Sequence, residues 1–318
     1  MNVKSIFLTG LTSFHGRRMA KEFVEKGYEV SGLIRHVANR DFKLDGVTVY
    51  KGDIRNSSNF KIFKEIDIDI FVHLAAQTPV AYSFGHESEV LDANFYGAVN
   101  MAELMVKYVP NLEKFVMASS VEVYGNQTHF PIAETQPVNP ASPYGVAKAS
   151  AEIYLNYLHK GYNFPCVIVR SANTYGREKS YLFVIEHIIR DVLSGNKMVE
   201  MGLPYPVRDF LHVDDEIEAY CKLIESENPK ILGETFNTGT GVGISINDLF
   251  YKILDKVGIP RENCTPIWDR ISPRPYEIKK LIIDATKLTG ATGWVPKYSL
   301  DEGLEKTIGV WRKRLGLA

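Results

Sequence analysis

A doubly wound, mostly parallel α/β sheet with a smaller α+β C-terminal part is the fold class this sequence predicts. Three observations predict it. Short apolar runs, several of them β-branched, alternate with helix-like stretches through residues 3–170. The first run meets a glycine turn, residues 9–16 (TGLTSFHG), that leads straight into a helix-like stretch. The conspicuous polar residues fall where such runs end. Near-continuous apolar strands alternating with helices mean a sheet covered on both faces, and such a sheet binds ligands at the carboxyl ends of its strands.

Taken in order, strands are expected at residues 3–9, 28–34, 47–50, 68–74, 115–119 and 165–170, with helices at 14–26, about 87–106 and 144–158. Beyond Asn173 the pattern loosens. Helices at about 183–193, 214–225, 246–257 and 300–312 are separated by short strands and by loops rich in glycine and proline. The expected division is residues 1–175 and 176–318, with strands near 210–213 and 235–238 returning to the first sheet.

The 318 residues are 45% hydrophobic and 24% charged, which suits a globular chain of two units. Net charge is −1 with no basic run, so nothing asks for nucleic acid or an anionic membrane surface. No apolar run approaches the roughly 20 residues that span a bilayer, and no leader-like segment precedes the first strand, so a cytoplasmic protein is expected. Cys166, Cys221 and Cys264 lie far apart, without metal-ligand or disulfide spacing, and read as reduced packing residues. The histidines lack ligand spacing too. No metal is expected, and His212 with Asp214 and Asp215 reads as strand-end and helix-cap chemistry.

Proton-transfer chemistry centres on residues 144–148 (YGVAK), at the start of a helix. Residues four apart share a helix face, so the Tyr144 phenol and the Lys148 ammonium point the same way. A neighbouring cation favours phenolate and lowers a tyrosine from about 10, which makes it usable near neutral pH. The same spacing occurs at Tyr175/Lys179 and Tyr276/Lys280, so spacing alone does not choose among the three.

The glycine turn supplies a second kind of chemistry. A helix N-terminus offers N–H groups and the positive end of a dipole to a pyrophosphate, and glycine lets backbone approach it. Gly10 and Gly16 are in place, with Ser13 at the middle position. Asp53 and Ile54 follow the third strand, where a carboxylate can accept from an adenine amine. Leu74, Ala75, Ala76 and Gln77 end the fourth strand and leave room for a cofactor to lie across them, and Asn94 sits inside the long helix, placed to tie backbone to a proton relay. Arg35, with Arg40 nearby, stands where NAD-specific sites carry an acid for the ribose 2′-hydroxyl. An arginine suits a 2′-phosphate through a bidentate contact, so NADP is expected before NAD. The plainer readings are a ligand-free glycine turn and a solvated Arg35.

Taken together and in this order, TGLTSFHG (9–16), GDI (52–54), HLAAQT (73–78), Asn94/Gly97/Asn100, ASSVEVYG (118–125), SPYGVAK (142–148), RSANTYG (170–176), VRDFLHVDD (207–215), FNTGTG (236–241), RP (274–275) and GWVP (293–296) make a specific set. The chain resembles, over nearly its whole length, the extended short-chain dehydrogenase/reductases of the nucleotide-sugar epimerase/dehydratase branch. The resemblance implies a Rossmann-type dinucleotide domain, a small nucleotide-sugar-binding domain, and a homodimer, or a homotetramer, built on the helices carrying Asn94 and Tyr144. It assigns the cofactor to Gly10, Thr12, Ser13, Phe14, Gly16, Arg35, Asp53, Ile54, Leu74, Ala75, Ala76, Asn94, Tyr144 and Lys148. It assigns the nucleotide sugar to Gln77, Ser120, Asn173, Arg208 and Arg274. Ser120, Glu122, Tyr144 and Lys148 are the implied catalytic set, with Lys148 lowering the Tyr144 pKa, which selects this pair over the other two. Ser13 departs from the family's glycine, and residues 27–36 (GYEVSGLIRH) are most similar to the NADP-using GDP-mannose 4,6-dehydratases.

Reactions of this branch begin alike, with Tyr144 taking the proton of the sugar 4-hydroxyl as hydride leaves C4. A 4-epimerase then needs no further acid or base. A 4,6-dehydratase needs a base for the C5 proton and a proton for the departing C6 hydroxyl. Glu122 stands where the dehydratases carry a glutamate, while Val121 beside it cannot serve as an acid; UDP-glucuronate decarboxylases and some keto-sugar reductases carry a glutamate here as well. The expected activity is a redox-neutral NDP-hexose 4,6-dehydratase of the GDP-mannose type. The alternatives are a UDP-hexose 4-epimerase, an NADPH-dependent keto-sugar reductase and, outside enzymes, an NADP-sensing scaffold.

Overall fold

A computed structural model describes residues 3–35, 42–56, 60–271 and 274–317. The chain forms two compact units that interleave in sequence. The first is Met1–Val123, Ser142–Arg170 and Ala219–Phe236; the second is Tyr124–Ala141, Ser171–Glu218 and Asn237–Ala318. The border expected at residue 175 therefore lies at Ser171, because Asn173–Tyr175 pairs in parallel with Val207–His212.

The first unit is built on a seven-stranded sheet. Its order is Thr235–Thr238, Cys166–Ser171, Lys114–Ser120, Ile70–His73, Ser5–Thr9, Glu29–Ile34 and Val47–Lys51. The chain lays its second and third strands on one side of Ser5–Thr9 and its fourth and fifth on the other, all parallel where these pairs meet. Strand order thus reverses at Thr9 and His73, which opens a crevice at their carboxyl ends. Ser5–Thr9 and Ile70–His73 are buried along their whole length, as their apolar sequences require. The parallel register sets Phe7 beside Phe71 and Phe71 beside Phe115. Their rings stack at 5.4 and 5.2 Å between centroids, each pair contributing about 1 kcal/mol beyond its buried area. Residues 87–106 were expected as one helix. They form Glu87–Leu91, a π-helical turn Asp92–Tyr96 and Gly97–Tyr108.

In the second unit Val207–His212 is a hub. Gly243–Ser245 pairs with it antiparallel, Lys280–Leu281 and Asn173–Tyr175 in parallel. The expectation that residues 210–213 return to the first sheet is corrected here: this strand's hydrogen bonds go to three segments of its own unit. Thr235–Thr238 does lie on the edge of the seven-stranded sheet. Asp209, buried on the hub strand, accepts from the amides of Thr240, Gly241 and Ile283 and from the Thr240 hydroxyl. Helices Val184–Leu193, Ile246–Val257 and Leu300–Arg314 bury Ile188, Ile189, Leu249, Phe250, Leu304 and Trp311 in one core. Ser299 and Glu302 close a capping box at the last helix. Cys166, Cys221 and Cys264 are buried, and among the described residues no helix is long and apolar enough to cross a membrane.

Candidate active site

The site of the first unit is made by the end of strand Lys114–Ser120, the 3-10 turn Val121–Tyr124 and helix Pro143–Tyr162. The sequence fixes where this helix begins. Ser142 caps it by accepting from the Gly145 amide at 3.1 Å, and Pro143 takes the first helical position, where no N–H is needed. Asn163, left-handed at φ 54°, ends it. The cap places Tyr144 in the first turn and Lys148 in the next, both buried.

Ser120 and Glu122 lie within reach of Tyr144, and Lys148 lies one turn further along the helix. The Ser120 hydroxyl lies near enough to the Tyr144 phenol to draw its pKa down, and its oxygen accepts from the Glu122 amide at 3.2 Å. Lys148 Nζ donates to the Ala118 carbonyl at 2.6 Å. One expectation is corrected. Burial, with the Glu122 charge adding to it, pushes the Tyr144 phenol up to about 12, while Ser120, not Lys148, is the group that draws it down. The Lys148 ammonium is spent on the Ala118 carbonyl, and burial lowers it to about 8 against the opposing pull of Glu152. The other two Tyr/Lys spacings lead elsewhere. Tyr175 is packed in the second unit against Phe210 and His212, so close to Gly303 that a Cβ there would stand 1.9 Å from its hydroxyl. Tyr276 is 54% exposed.

At the glycine turn, Gly10 adopts φ +73°, and a Cβ on Gly16 would stand 2.3 Å from the Gly10 carbonyl oxygen. Neither position tolerates another residue without moving backbone. Ser13 caps helix Phe14–Glu25, accepting from the Gly16 amide at 3.0 Å. An oxygen that accepts this way keeps its own hydroxyl proton for a further acceptor. Thr12 turns its carbonyl to Arg17 Nε at 3.1 Å, and the Phe14 ring lies against His15 and beneath Arg18. Leu74, Ala75 and Ala76 follow the strand end, with the Ala75 amide 2.9 Å from where a Gly10 Cβ would sit. Asn94, in the π-helical turn, accepts from the Gln77 amide at 2.7 Å and donates to the Gln77 carbonyl at 2.9 Å. The Gln77 side chain meanwhile donates to Glu89 at 2.9 Å.

Asp53 departs from expectation. Arg55 grips both of its oxygens, at 3.0 and 2.6 Å, and holds its carboxyl below the usual range, with Arg35 adding to the effect. An adenine amine would have to share that carboxylate. Ile54 is buried under Gly97, its carbonyl accepting from Asn100 at 2.9 Å. Arg35 is exposed beyond strand Glu29–Ile34, and Arg40 lies outside the described residues. The tight glycine turn against a helix N-terminus and the exposed Arg35 fit a dinucleotide.

In the second unit, Arg208 donates to the Val207 carbonyl at 3.0 Å and to Glu277 Oε1 at 2.5 Å, while Arg274 Nε stands 3.7 Å from Glu277 Oε2. One carboxylate thus gathers both arginines. Asn173 Oδ1 is a buried acceptor with no hydrogen bond, which fits a polar ligand. His212 accepts from the Asp214 amide at 3.3 Å, and Asp215 accepts from the Lys297 and Tyr298 amides. No group of metal-binding side chains occurs among the described residues. Sequence reading passed over Glu152, Arg55 and Glu277. The first two carry a signal in their spacing, four residues beyond Lys148 and two beyond Asp53; Glu277 also follows Arg274 at helix-like spacing but was not singled out.

The family model described as GDP-mannose 4,6 dehydratase matches residues 7–307. The dTDP-D-glucose 4,6-dehydratase of Mus musculus is 33% identical, over 83% of this chain and 73% of its own. The UDP-glucose 4-epimerase of Thermotoga maritima, solved with UDP-glucose, is 30% identical and superposes with a TM-score of 0.86, covering 98% of this chain and 99% of its own. The UDP-glucose 4-epimerase of Thermus thermophilus, solved with NAD, is 27% identical with a TM-score of 0.85, covering 97% and 99%. With the Ser120, Tyr144 and Lys148 constellation at the end of the fifth strand, these likenesses establish that the chain belongs to the extended short-chain dehydrogenase/reductases, in the family of nucleotide-sugar dehydratases and epimerases.

Proposed function

We propose that this protein is a nucleotide-sugar 4,6-dehydratase of the GDP-mannose type that works through a 4-keto intermediate. The observation that carries this reading is Glu122, a buried carboxylate close enough to Tyr144 to push its phenol upward. Tyr144 takes the proton of the sugar 4-hydroxyl, with Ser120 holding the same oxygen. Glu122 takes the C5 proton, made acidic by the adjacent ketone, and returns it to the departing C6 oxygen, because Val121 has no proton to give. Water leaves, and the carbon skeleton is otherwise intact. A nicotinamide dinucleotide held here would supply the redox chemistry, taking hydride from C4 and returning it at C6, while C5 regains a proton, the one Tyr144 took from the 4-hydroxyl, so no net oxidant is consumed. Lys148 holds the nicotinamide ribose in this scheme. Asn173, Arg208 and Arg274 hold the nucleotide diphosphate, for which a guanidinium fork is suited.

Arg35 supports NADP as the cofactor, with NAD as the alternative; the nucleotide released on denaturing the purified protein decides between them. Incubation with GDP-mannose, dTDP-glucose, UDP-glucose and UDP-glucuronate, followed by mass spectrometry, tests the reaction. Loss of one water from GDP-mannose is expected. The second reading is a 4-epimerase, favoured by the full-length likeness to the Thermotoga maritima enzyme; it yields an isomer of unchanged mass. Release of carbon dioxide from the glucuronate defeats both.

The same reading includes a homodimer. Val146, Ile153 and Tyr157 are exposed on helix Pro143–Tyr162, seven and eleven residues apart from the first, and Tyr96 and Val106 are exposed in the segment 92–108 of the same unit. Such an apolar stripe is what a partner surface requires, and light scattering in solution reads the assembly directly.

A further inference from the structure

Three consecutive residues at the end of strand Lys114–Ser120 each engage one turn of helix Pro143–Tyr162. Ser120 meets Tyr144, the Ala118 carbonyl meets Lys148, and Ser119 donates to Glu152. Glu152 is buried one turn beyond Lys148, on the same helix face. Its carboxylate is gripped by Arg170, whose Nε donates to both oxygens at 3.1 and 3.2 Å and whose Nη2 donates at 2.6 Å. Arg170 is itself buried, on strand Cys166–Ser171. A guanidinium and a hydroxyl on one buried carboxylate fix both its place and its charge.

We propose that Glu152 is a positioning residue that acts through Lys148: clamped by Arg170 and Ser119, its carboxylate keeps Lys148 an ammonium seated on the Ala118 carbonyl. The inference rests on the proposed role of Lys148 in holding the nicotinamide ribose, for which an ammonium offers three N–H donors. A buried lysine without a counter-charge deprotonates near neutral pH. Around Lys148 the charged and titratable groups are few. Tyr144 and Glu152 come from its own helix, and His73 comes from strand Ile70–His73, kept neutral by burial and by the Lys148 charge itself. Arg170 reaches the helix through Glu152, and Glu122 bears on Tyr144. Of these, Glu152 alone supports the protonated lysine, which burial has already brought down to about 8.

The test is the titration of Lys148, followed by NMR in protein 13C-labelled at lysine, with the resonance identified by its loss in Lys148→Met, alongside the pH dependence of kcat/KM. In the unaltered protein both the resonance and the alkaline limb titrate near 8. Glu152→Gln lowers both by about one unit, so that the rate lost at pH 9 exceeds the rate lost at pH 6.5 by roughly tenfold. Glu152→Asp recovers part of the shift. Should Glu152→Gln fail to fold because Arg170 is left unpaired, the pair Glu152→Gln/Arg170→Gln, read against Arg170→Gln alone, isolates the Glu152 charge and carries the same expectation. A resonance that stays put in the folded variant overturns the proposal. A resonance that moves while the rate profile does not upholds Glu152 as the counter-charge and defeats instead the catalytic reading of Lys148.

Discussion

Two buried glutamates, one in each unit, are held in different ways. In the first unit Glu152 accepts a guanidinium fork and one hydroxyl. In the second, Glu216 on helix Val213–Glu225 accepts from two hydroxyls, those of Ser171 and Thr238. Burial raises Glu216 to about 7, although both hydroxyls and the more distant Arg177 pull it down. A carboxylate bonded to a buried cation belongs to a fixed electrostatic arrangement. One held by hydroxyls can take up a proton where it stands. Glu152 is thus held as a charge, and Glu216 as a group that can change its charge.

The contrast breaks most visibly at Tyr144. Tyr144→Phe removes the proton-transfer group and lowers kcat/KM for the true substrate by roughly 10³-fold, about 4 kcal/mol, with unfolding stability unchanged within about 1 kcal/mol. A variant as active as the parent ends the catalytic assignment. Arg170→Met asks whether the Glu152 clamp is worth what a buried ion pair implies. Stripping the guanidinium costs about 3 kcal/mol in urea unfolding, and a cost below about 1 kcal/mol would erase the distinction drawn above.

Glu216 sharpens the comparison through pH. Its carboxyl is raised from 4.5 to about 7, so the folded protein holds this proton more tightly than the unfolded chain. The contribution is fully present below pH 4.5 and is lost as pH rises through 7. Stability should therefore fall between pH 5 and pH 8 by on the order of 2 kcal/mol on account of this group. Glu216→Gln, which cannot ionise, removes that part of the slope, read as a smaller difference in Tm between the two pH values. The smallest effect belongs to an exposed charge. Arg35→Ala should cost about tenfold, or 1.4 kcal/mol, in affinity for NADPH and almost nothing for NADH. Equal losses for both would return Arg35 to the solvated surface.

How far the sequence could be read follows the range of the interactions involved. Strands such as Ser5–Thr9 and helices such as Ile246–Val257 announce themselves through local apolar periodicity, and so does the shared face of Tyr144 and Lys148. The π-helical turn at Asp92–Tyr96 does not, because its residues continue a helical pattern without interruption. Nor does the choice of partners by Val207–His212, an apolar strand that suits several sheets equally well and is placed by segments far away in sequence. The Tyr144 surroundings were legible as a list of residues and not as electrostatics. Spacing shows that a lysine lies near a tyrosine, and only burial shows that both are pushed against their charged forms. The Asp53 partner was hidden for a similar reason, since Arg55 two residues on donates to both of its oxygens.

The Asp209 carboxylate has a kinetic consequence. It joins the hub strand to Thr240–Gly241 and to Ile283, partners 31, 32 and 74 residues away along the chain. Contacts of such long sequence separation form late in folding and open together. In hydrogen exchange, the amides of Thr240, Gly241 and Ile283 should behave as a single slow set, released only when Asp209 lets go.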